Sequence, residues 1–344
     1  MDRPSARPVS ELRKDPFTGR WTVIAEGRGA RPNEHAGRLP SVASDPQCPF
    51  CEGREGQTPP EVAAVRPTGL PANGPGWTAR AIPNKFPSLG GPPNPVPVRA
   101  PAGGTGTDAA GVHHVVIETP RHAPGLPHLS AEALRELFRF FRERVSAVAE
   151  MPGIGAVLLF ENWGPESGGT LWHPHAQIAG FPQLPRALAD ESGRFVPKAP
   201  CRLESVTEAE IFEPSRVVLA DRQFTVYAPF GSEHPYELRV VPHAHRASFT
   251  DAADEEVDRL AELLPALLRA IERIVPGISY NWWVHGAGRW MPSTFHWHLE
   301  IVPRIVRPDG FELGAGLFVN PVAPESAATK IRAALEREGP TAPR

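Results

Sequence analysis

The chain has 344 residues, enough to bury a full core as one large or two modest domains, and a formal net charge of −3. That balance offers no basic field to a nucleic-acid duplex; no stretch approaches the roughly 20 apolar residues of a membrane span; and Met1 to Arg20 lacks the apolar core of a signal peptide. The expectation is a cytoplasmic protein with neither nucleic acid nor membrane as partner, and the three cysteines are too few for a disulfide framework.

In chain order, a turn over Asp15 to Gly19 followed by Trp21 to Ala25 predicts a hairpin that ends in a loop carrying Arg28 and Arg31. By spacing alone these are solvated loop arginines, although a guanidinium fork also matches phosphoryl oxygens. Cys48 and Cys51 follow with the two-residue gap that lets two thiolates reach one tetrahedral zinc, and they supply half a site. Arg80 to Phe86 predicts a strand and turn, and Leu89 to Gly111, almost all Pro, Gly, Ala and Thr, predicts a mobile surface loop.

His114 to Glu118 reads as a strand, and after Ser130 the apolar residues Leu134, Leu137, Phe138, Phe141, Val145 and Val148 keep helical spacing. Ala156 to Phe160 and Trp172 to Phe181 read as strands around a Gly-rich turn. Alternation in the second puts His173 and His175 on one sheet face beside the amide of Gln177.

The second half repeats this order. Glu237 to His245 forms a strand that runs into Pro and His, a cap is expected at Thr250, and Val257, Leu260, Leu264, Leu267 and Ile271 share a helix face. Ser279 to Val284 forms a strand, and Phe295 to Ile301 carries His296 and His298. The offset is 122 from Pro120 to Pro242 and 123 from His122 to His245, His173 to His296 and His175 to His298. One register over three motifs implies an internal duplication: an α+β plan of two antiparallel-sheet halves, residues 1–185 and 186–344, each with a helix across its sheet.

The repeat sets Cys48 and Cys51 against Cys201 and Glu204, and so proposes two metal sites. The first, Cys48, Cys51, His122 and His173, suits structural zinc. In the second, Cys201, Glu204, His245 and His296, a carboxylate replaces a thiolate, which weakens zinc affinity or broadens the choice toward iron. His298 and His285 with Glu191 form a competing set.

The residues Arg13 to Trp21, Arg28 to Pro32, Cys48 to Cys51, Phe160 to Asn162 with its Gly-rich loop, His173-Pro-His-Ala-Gln177 and Gly310 to Gly316 together resemble the galactose-1-phosphate uridylyltransferase family. That family is a branch of the histidine-triad superfamily with two fused triad-like halves. The resemblance implies that His173 faces structural zinc, while His175 is the nucleophile that attacks the α-phosphorus of a nucleotide sugar and forms a nucleotidyl-histidine. It implies that Gln177 donates to the phosphoryl oxygens, that Asn162, Thr170, Arg28 and Arg31 hold phosphate or ribose, and that Asn84 lies near the base.

The implied partners are a nucleotide sugar and a sugar 1-phosphate or phosphate, with a homodimer as the assembly. UDP-glucose:hexose-1-phosphate uridylyl transfer is the first expectation. The small apolar segment Gly314 to Gly316, Cys201/Glu204 and His113 to Pro120 resemble more closely the plant ADP-glucose phosphorylase branch, which makes adenylyl transfer to phosphate the alternative. A triad-type hydrolase and a non-catalytic nucleotide binder are the remaining rivals. Gln177 disfavours the hydrolase, because an amide lacks a titratable proton to help water attack.

Overall fold

The computed structural model describes residues 10–30, 47–91, 97–98, 103–122, 125–286 and 288–337. The strands of the first half are β1 (Glu11–Lys14), β2 (Trp21–Ile24), β3 (Ala63–Val65), β4 (Ala79–Pro83), β5 (Pro97–Val98), β6 (Gly106–Thr107), β7 (Val112–Ile117), β8 (Ala156–Trp163) and β9 (His175–Phe181). Those of the second are β10 (Val217–Ala220), β11 (Phe224–Tyr227), β12 (Leu238–Pro242), β13 (Tyr280–His285), β14 (His298–Pro303) and β15 (Phe318–Asn320). The helices are α1 (Ala131–Ala149), α2 (Arg186–Ser192), α3 (Arg202–Phe212), α4 (Asp254–Ile274), α5 (Gly310–Ala315) and α6 (Pro324–Glu336).

Ten strands form one antiparallel sheet in the order β10-β11-β12-β14-β13-β8-β9-β7-β4-β3. Within this sheet the five strands of the first half, β8, β9, β7, β4 and β3, mirror β13, β14, β12, β11 and β10 outward from the central β8–β13 pair, so the duplication joins two five-stranded sheets edge to edge. Joining them covers an edge that each half alone would leave open.

Strand alternation divides the sheet into two faces. Ala176, Ile178, Trp282, Leu299 and Ile301 point into a core shared with Phe138 and Phe141 of α1 and Leu260, Leu264 and Ile271 of α4. The two helices lie side by side there, linked outside by Arg139 and Asp258 at 2.7 Å. Their apolar stripes are those expected from the sequence. Ser130 caps α1, whereas the cap of α4 is at Ala253 rather than Thr250, because Glu256 reaches back to the Ala253 N–H and a 3₁₀ turn, Phe249–Asp251, occupies the expected start.

The opposite face presents His113, His175, Gln177, Asn162, Asn281, His285, His298 and Glu300. Over its second half lies the β1–β2 hairpin, whose Phe17 is fully buried. Two sequence expectations shift. The paired histidines come just before and at the first residue of β9 and β14, since Pro174 cannot donate to a ladder and the Trp297 N–H donates to the Arg246 carbonyl instead. In the Pro/Gly-rich stretch, β5 pairs with β6; residues 92–96 and 99–102 of it lie outside the described residues. Among the described residues, no helix is long and apolar enough to cross a membrane.

Candidate active site and metal centres

The Cys48–Cys51 knuckle meets the loop after β7 and the entry to β9. Cys48 Sγ and Cys51 Sγ lie 3.5 and 3.6 Å from His173 Nδ1, and Cys51 Sγ lies 3.8 Å from His122 Nδ1. Ligands held at zinc–sulfur and zinc–nitrogen bond lengths on a tetrahedron are about 3.3–3.8 Å apart. The ring orientation also fits: His173 Nε2 sits 2.7 Å from the Thr119 carbonyl, which can only accept, so the proton is on Nε2 and the Nδ1 lone pair faces the sulfurs. Burial pushes the Cys48 thiol up to about 11 and the His173 imidazole down to about 4. A dication is what would let this buried group carry thiolate charge.

The second half repeats the construction. Cys201 is the N-cap residue of α3, so Glu204, three residues on, shares its helix side. Cys201 Sγ is 3.6 Å and Glu204 Oε1 3.5 Å from His296 Nδ1, and His245 Nδ1 is 2.9 Å from the same carboxylate oxygen. His296 donates from Nε2 to the Pro242 carbonyl at 2.9 Å, matching His173.

The competing set assembles as well, separately. Glu191 of α2 holds His285 Nδ1 at 2.8 Å and lies 3.7 Å from His298 Nε2, all three side chains being buried. His298 donates from Nδ1 to the His296 carbonyl, which leaves its Nε2 lone pair buried and unpartnered beside a carboxylate. That orphaned atom fits a metal bound by carboxylate and imidazole. The two sets compete for no ligand, so the sequence alternatives are compatible.

His175 opens β9. Its Nδ1 donates to the His173 carbonyl at 2.7 Å, so Nε2 carries the free lone pair. Phe50, from between the two cysteines, meets its ring edge-on at 5.2 Å. Burial lowers its basicity, which keeps the ring neutral. Two residues along, Gln177 Oε1 is 2.8 Å from His113 Nε2. Across the sheet, Asn162 Oδ1 is 2.7 Å from Asn281 Nδ2, its register partner on β13. Asn84 adjoins the group through His113, at 3.3 Å.

After β8 the chain turns through Gly164 and Gly168, at φ +81° and +88°. A Cβ on Gly169 would lie 2.7 Å from the Asn162 carbonyl, so only glycine lets the turn close over β8. Thr170 is exposed at the end of this turn, and Arg28 is exposed on the 3₁₀ turn Glu26–Ala30. Among the described residues no side-chain contact joins either of them to His175, and Arg31 lies outside the described residues.

The equivalent place in the second half is closed. Glu300 stands where Gln177 does and pairs with the buried Arg239 at 2.9 Å. Burial opposes the Glu300 charge, but Arg239, His285 and His298 outweigh it and hold the carboxyl down at about 2. Phe17 seals His298 from above at 5.2 Å.

Sequence reasoning missed Phe50, Asn281 and the contact of His113 with Gln177. The repeat could not have found Asn281, because the pairing of β8 with β13 lies between the halves rather than within one.

Residues 107–184 match the family model of the N-terminal domain of a domain of unknown function, DUF4931. The chain is 29% identical over 343 residues to ADP-glucose phosphorylase of Arabidopsis thaliana, covering 94% of this chain and 92% of that protein. It is 26% identical over 338 residues to galactose-1-phosphate uridylyltransferase of Thermotoga maritima, covering 94% and 98%. A crystal structure of an ADP-glucose phosphorylase from Arabidopsis thaliana with bound ADP-glucose superposes with a TM-score of 0.75 at 26% identity, covering 94% of this chain and 98% of that one. A structure of a uridylyltransferase mutant gives 0.74 at 27% identity, covering 97% and 100%. Over nearly its whole length, the chain is thus similar in sequence and fold to galactose-1-phosphate uridylyltransferases and to ADP-glucose phosphorylase, which are nucleotidyltransferases.

Proposed function

We propose that the protein is a nucleotidyltransferase acting on nucleotide sugars by double displacement through His175. The observation that carries this reading is a neutral imidazole whose Nδ1 proton is held by a carbonyl and whose Nε2 lone pair is free, bordered by the Gln177 and Asn162 amides.

His175 Nε2 attacks the α-phosphorus, a P–N bond forms, and the bond to the bridging oxygen breaks as the sugar 1-phosphate leaves. The imidazole needs no base, and the positive charge it gains is stabilised through its Nδ1–H by the His173 carbonyl. A phosphate oxygen of the acceptor then attacks phosphorus from the vacated side, and the P–N bond breaks. Amide N–H groups of Gln177 and Asn162 offset charge on the non-bridging oxygens throughout. A glutamine in this place donates hydrogen bonds but has no titratable proton, which favours transfer over hydrolysis.

Uridylyl transfer from UDP-glucose to a hexose 1-phosphate is the first assignment. One observation favours the second, adenylyl transfer from ADP-glucose to phosphate: α5 exposes Phe311 and Leu313 while its Glu312 is buried as a capping residue, so the segment that would meet a hexose is apolar. A panel of both donors with galactose 1-phosphate or phosphate as acceptor separates the two. Turnover only with ADP-glucose and phosphate contradicts the first.

The Cys48, Cys51, His122 and His173 group would hold zinc in a structural role, cross-linking three segments beneath the nucleophile. Residues 1–185 would form the catalytic half and 186–344 a supporting half. Cytoplasmic location and a homodimer complete the proposal.

A further inference from the structure

An amide side chain can present either end to a ligand, and an anion discriminates sharply between them: an NH₂ donates, an oxygen repels. Near His175, two unambiguous main-chain groups fix the choice. Asn281 Nδ2 lies 3.1 Å from the Ser167 carbonyl, which only accepts, so that end of Asn281 is NH₂. The Asn162 atom 2.7 Å from the same nitrogen must then be its oxygen. On the other side, the Ser88 N–H donates to His113 Nδ1 at 3.0 Å, so the proton of the neutral ring is on Nε2. The Gln177 atom 2.8 Å from that nitrogen must be its oxygen too. Asn84 does not compete for the proton. Its oxygen accepts from the Phe86 N–H at 2.9 Å, and its NH₂ end, 3.3 Å from His113 Nε2, cannot accept.

We propose that His113 and Asn281 are positioning residues that hold the oxygen ends of Gln177 and Asn162, so that both NH₂ groups face the phosphoryl group on His175. This rests on the nucleotidyl-transfer reading. Both locks are neutral, and each ends on a backbone group of a loop beside the site, Phe86–Ser88 or Pro165–Ser167. The cradle is therefore set before substrate arrives. Asn281 also gives the closed half a part in the reaction, across the β8–β13 seam.

The test is single-turnover nucleotidylation of the full-length protein by UDP-glucose and by ADP-glucose, with thermal melting as the check on folding. The His113 ring lies 6.4 Å from that of Phe160, so His113→Phe keeps a ring there but has no N–H; its rate should fall about tenfold or more while the donor concentration at half-saturation changes less than about threefold. His113→Gln, which returns an N–H donor, should recover part of that loss. Asn281→Asp keeps the size and removes the donor, so Asn162 turns its oxygen to the phosphate. That variant should be slower than Asn281→Ala, whereas a packing role predicts the reverse. If the wild type labels while Asn281→Asp is as fast as Asn281→Ala or faster, or while His113→Phe runs at the wild-type rate, transfer stands and this inference is overturned. If the wild type takes no label from either donor, the underlying reading fails and the inference falls with it.

Discussion

The ring Nδ1 of His175 donates to the main-chain carbonyl of His173 at 2.7 Å, and His298 repeats the bond to His296 at 3.1 Å. One geometry thus produces two free Nε2 atoms with different surroundings. His175 shares its sheet face with the Gln177 and Asn162 amides on the open half of the sheet, while His298 Nε2 faces Glu191 beneath Phe17. Whether such a ring is suited to attack phosphorus or to bind a metal is set by its neighbours rather than by the histidine itself.

His175→Ala should lose nucleotidyl transfer by on the order of 10⁴-fold or more, since no other free imidazole among the described residues borders the two amides. His175→Gly leaves a ring-sized gap, and added imidazole should restore part of the rate. Stopped-flow release of the sugar 1-phosphate reads both. Full activity in the alanine variant would remove His175 from the mechanism.

Replacing Gln177 separates its two proposed effects. Gln177→Leu should slow transfer by about 10²-fold through loss of one phosphoryl donor. Gln177→His adds a titratable ring, so nucleotide release without an acceptor should rise above the wild-type background. Quenched-flow chromatography of free nucleotide measures it, and an unchanged background would show that the amide does not suppress hydrolysis.

The metal reading of the Cys/His groups predicts zinc in the purified protein by elemental analysis, and a melting temperature about 5 °C or more lower for Cys51→Ser or after chelation. Burial holds His173 at about 4 and His296 at about 3, so both are neutral when folded at neutral pH. Because the unfolded rings bind protons near 6.5, the chelated protein should lose stability as pH falls from about 6.5 toward 4. Glu204→Cys should raise zinc content by completing a two-thiolate set. Zinc-free protein with unchanged melting and activity would refute the assignment.

Much of this was legible because it is periodic. The stripes of α1 and α4 and the 123-residue register of His122, His173 and His175 fixed the sheet halves and both Cys/His groups without a structure. Helices α2, α3, α5 and α6 escaped notice: they are short or only partly apolar, and α3 was visible only as Cys201 and Glu204. The contacts that aim the amides were hidden for another reason. Asn162–Asn281 and His113–Gln177 depend on which strands become neighbours and in what register, and no local spacing records that.

On the helix side of the sheet, burial raises Glu161 to about 8, and burial with the neighbouring Glu161 raises Glu118 well above the carboxylate range. Tyr280 is buried close by, and Trp282 Nε1 donates to Glu161. Protons that both carboxyls keep when folded are lost on unfolding above about 4.5. This contribution is therefore full below that pH and fades as pH rises through about 8. Glu161→Gln keeps an acceptor for Trp282 and has nothing to ionise, so its melting temperature relative to wild type should climb steadily from pH 6 to pH 9. A pH-independent difference would contradict a protonated Glu161.

The most direct measurement is intact mass spectrometry, with peptide mapping, after brief exposure of the protein to UDP-glucose and, separately, to ADP-glucose with no acceptor. The account predicts one nucleoside monophosphate per chain, mapped to His175 and absent from His175→Ala, and the donor that labels names the base. No adduct from either donor, or an adduct on a residue other than His175, would contradict it.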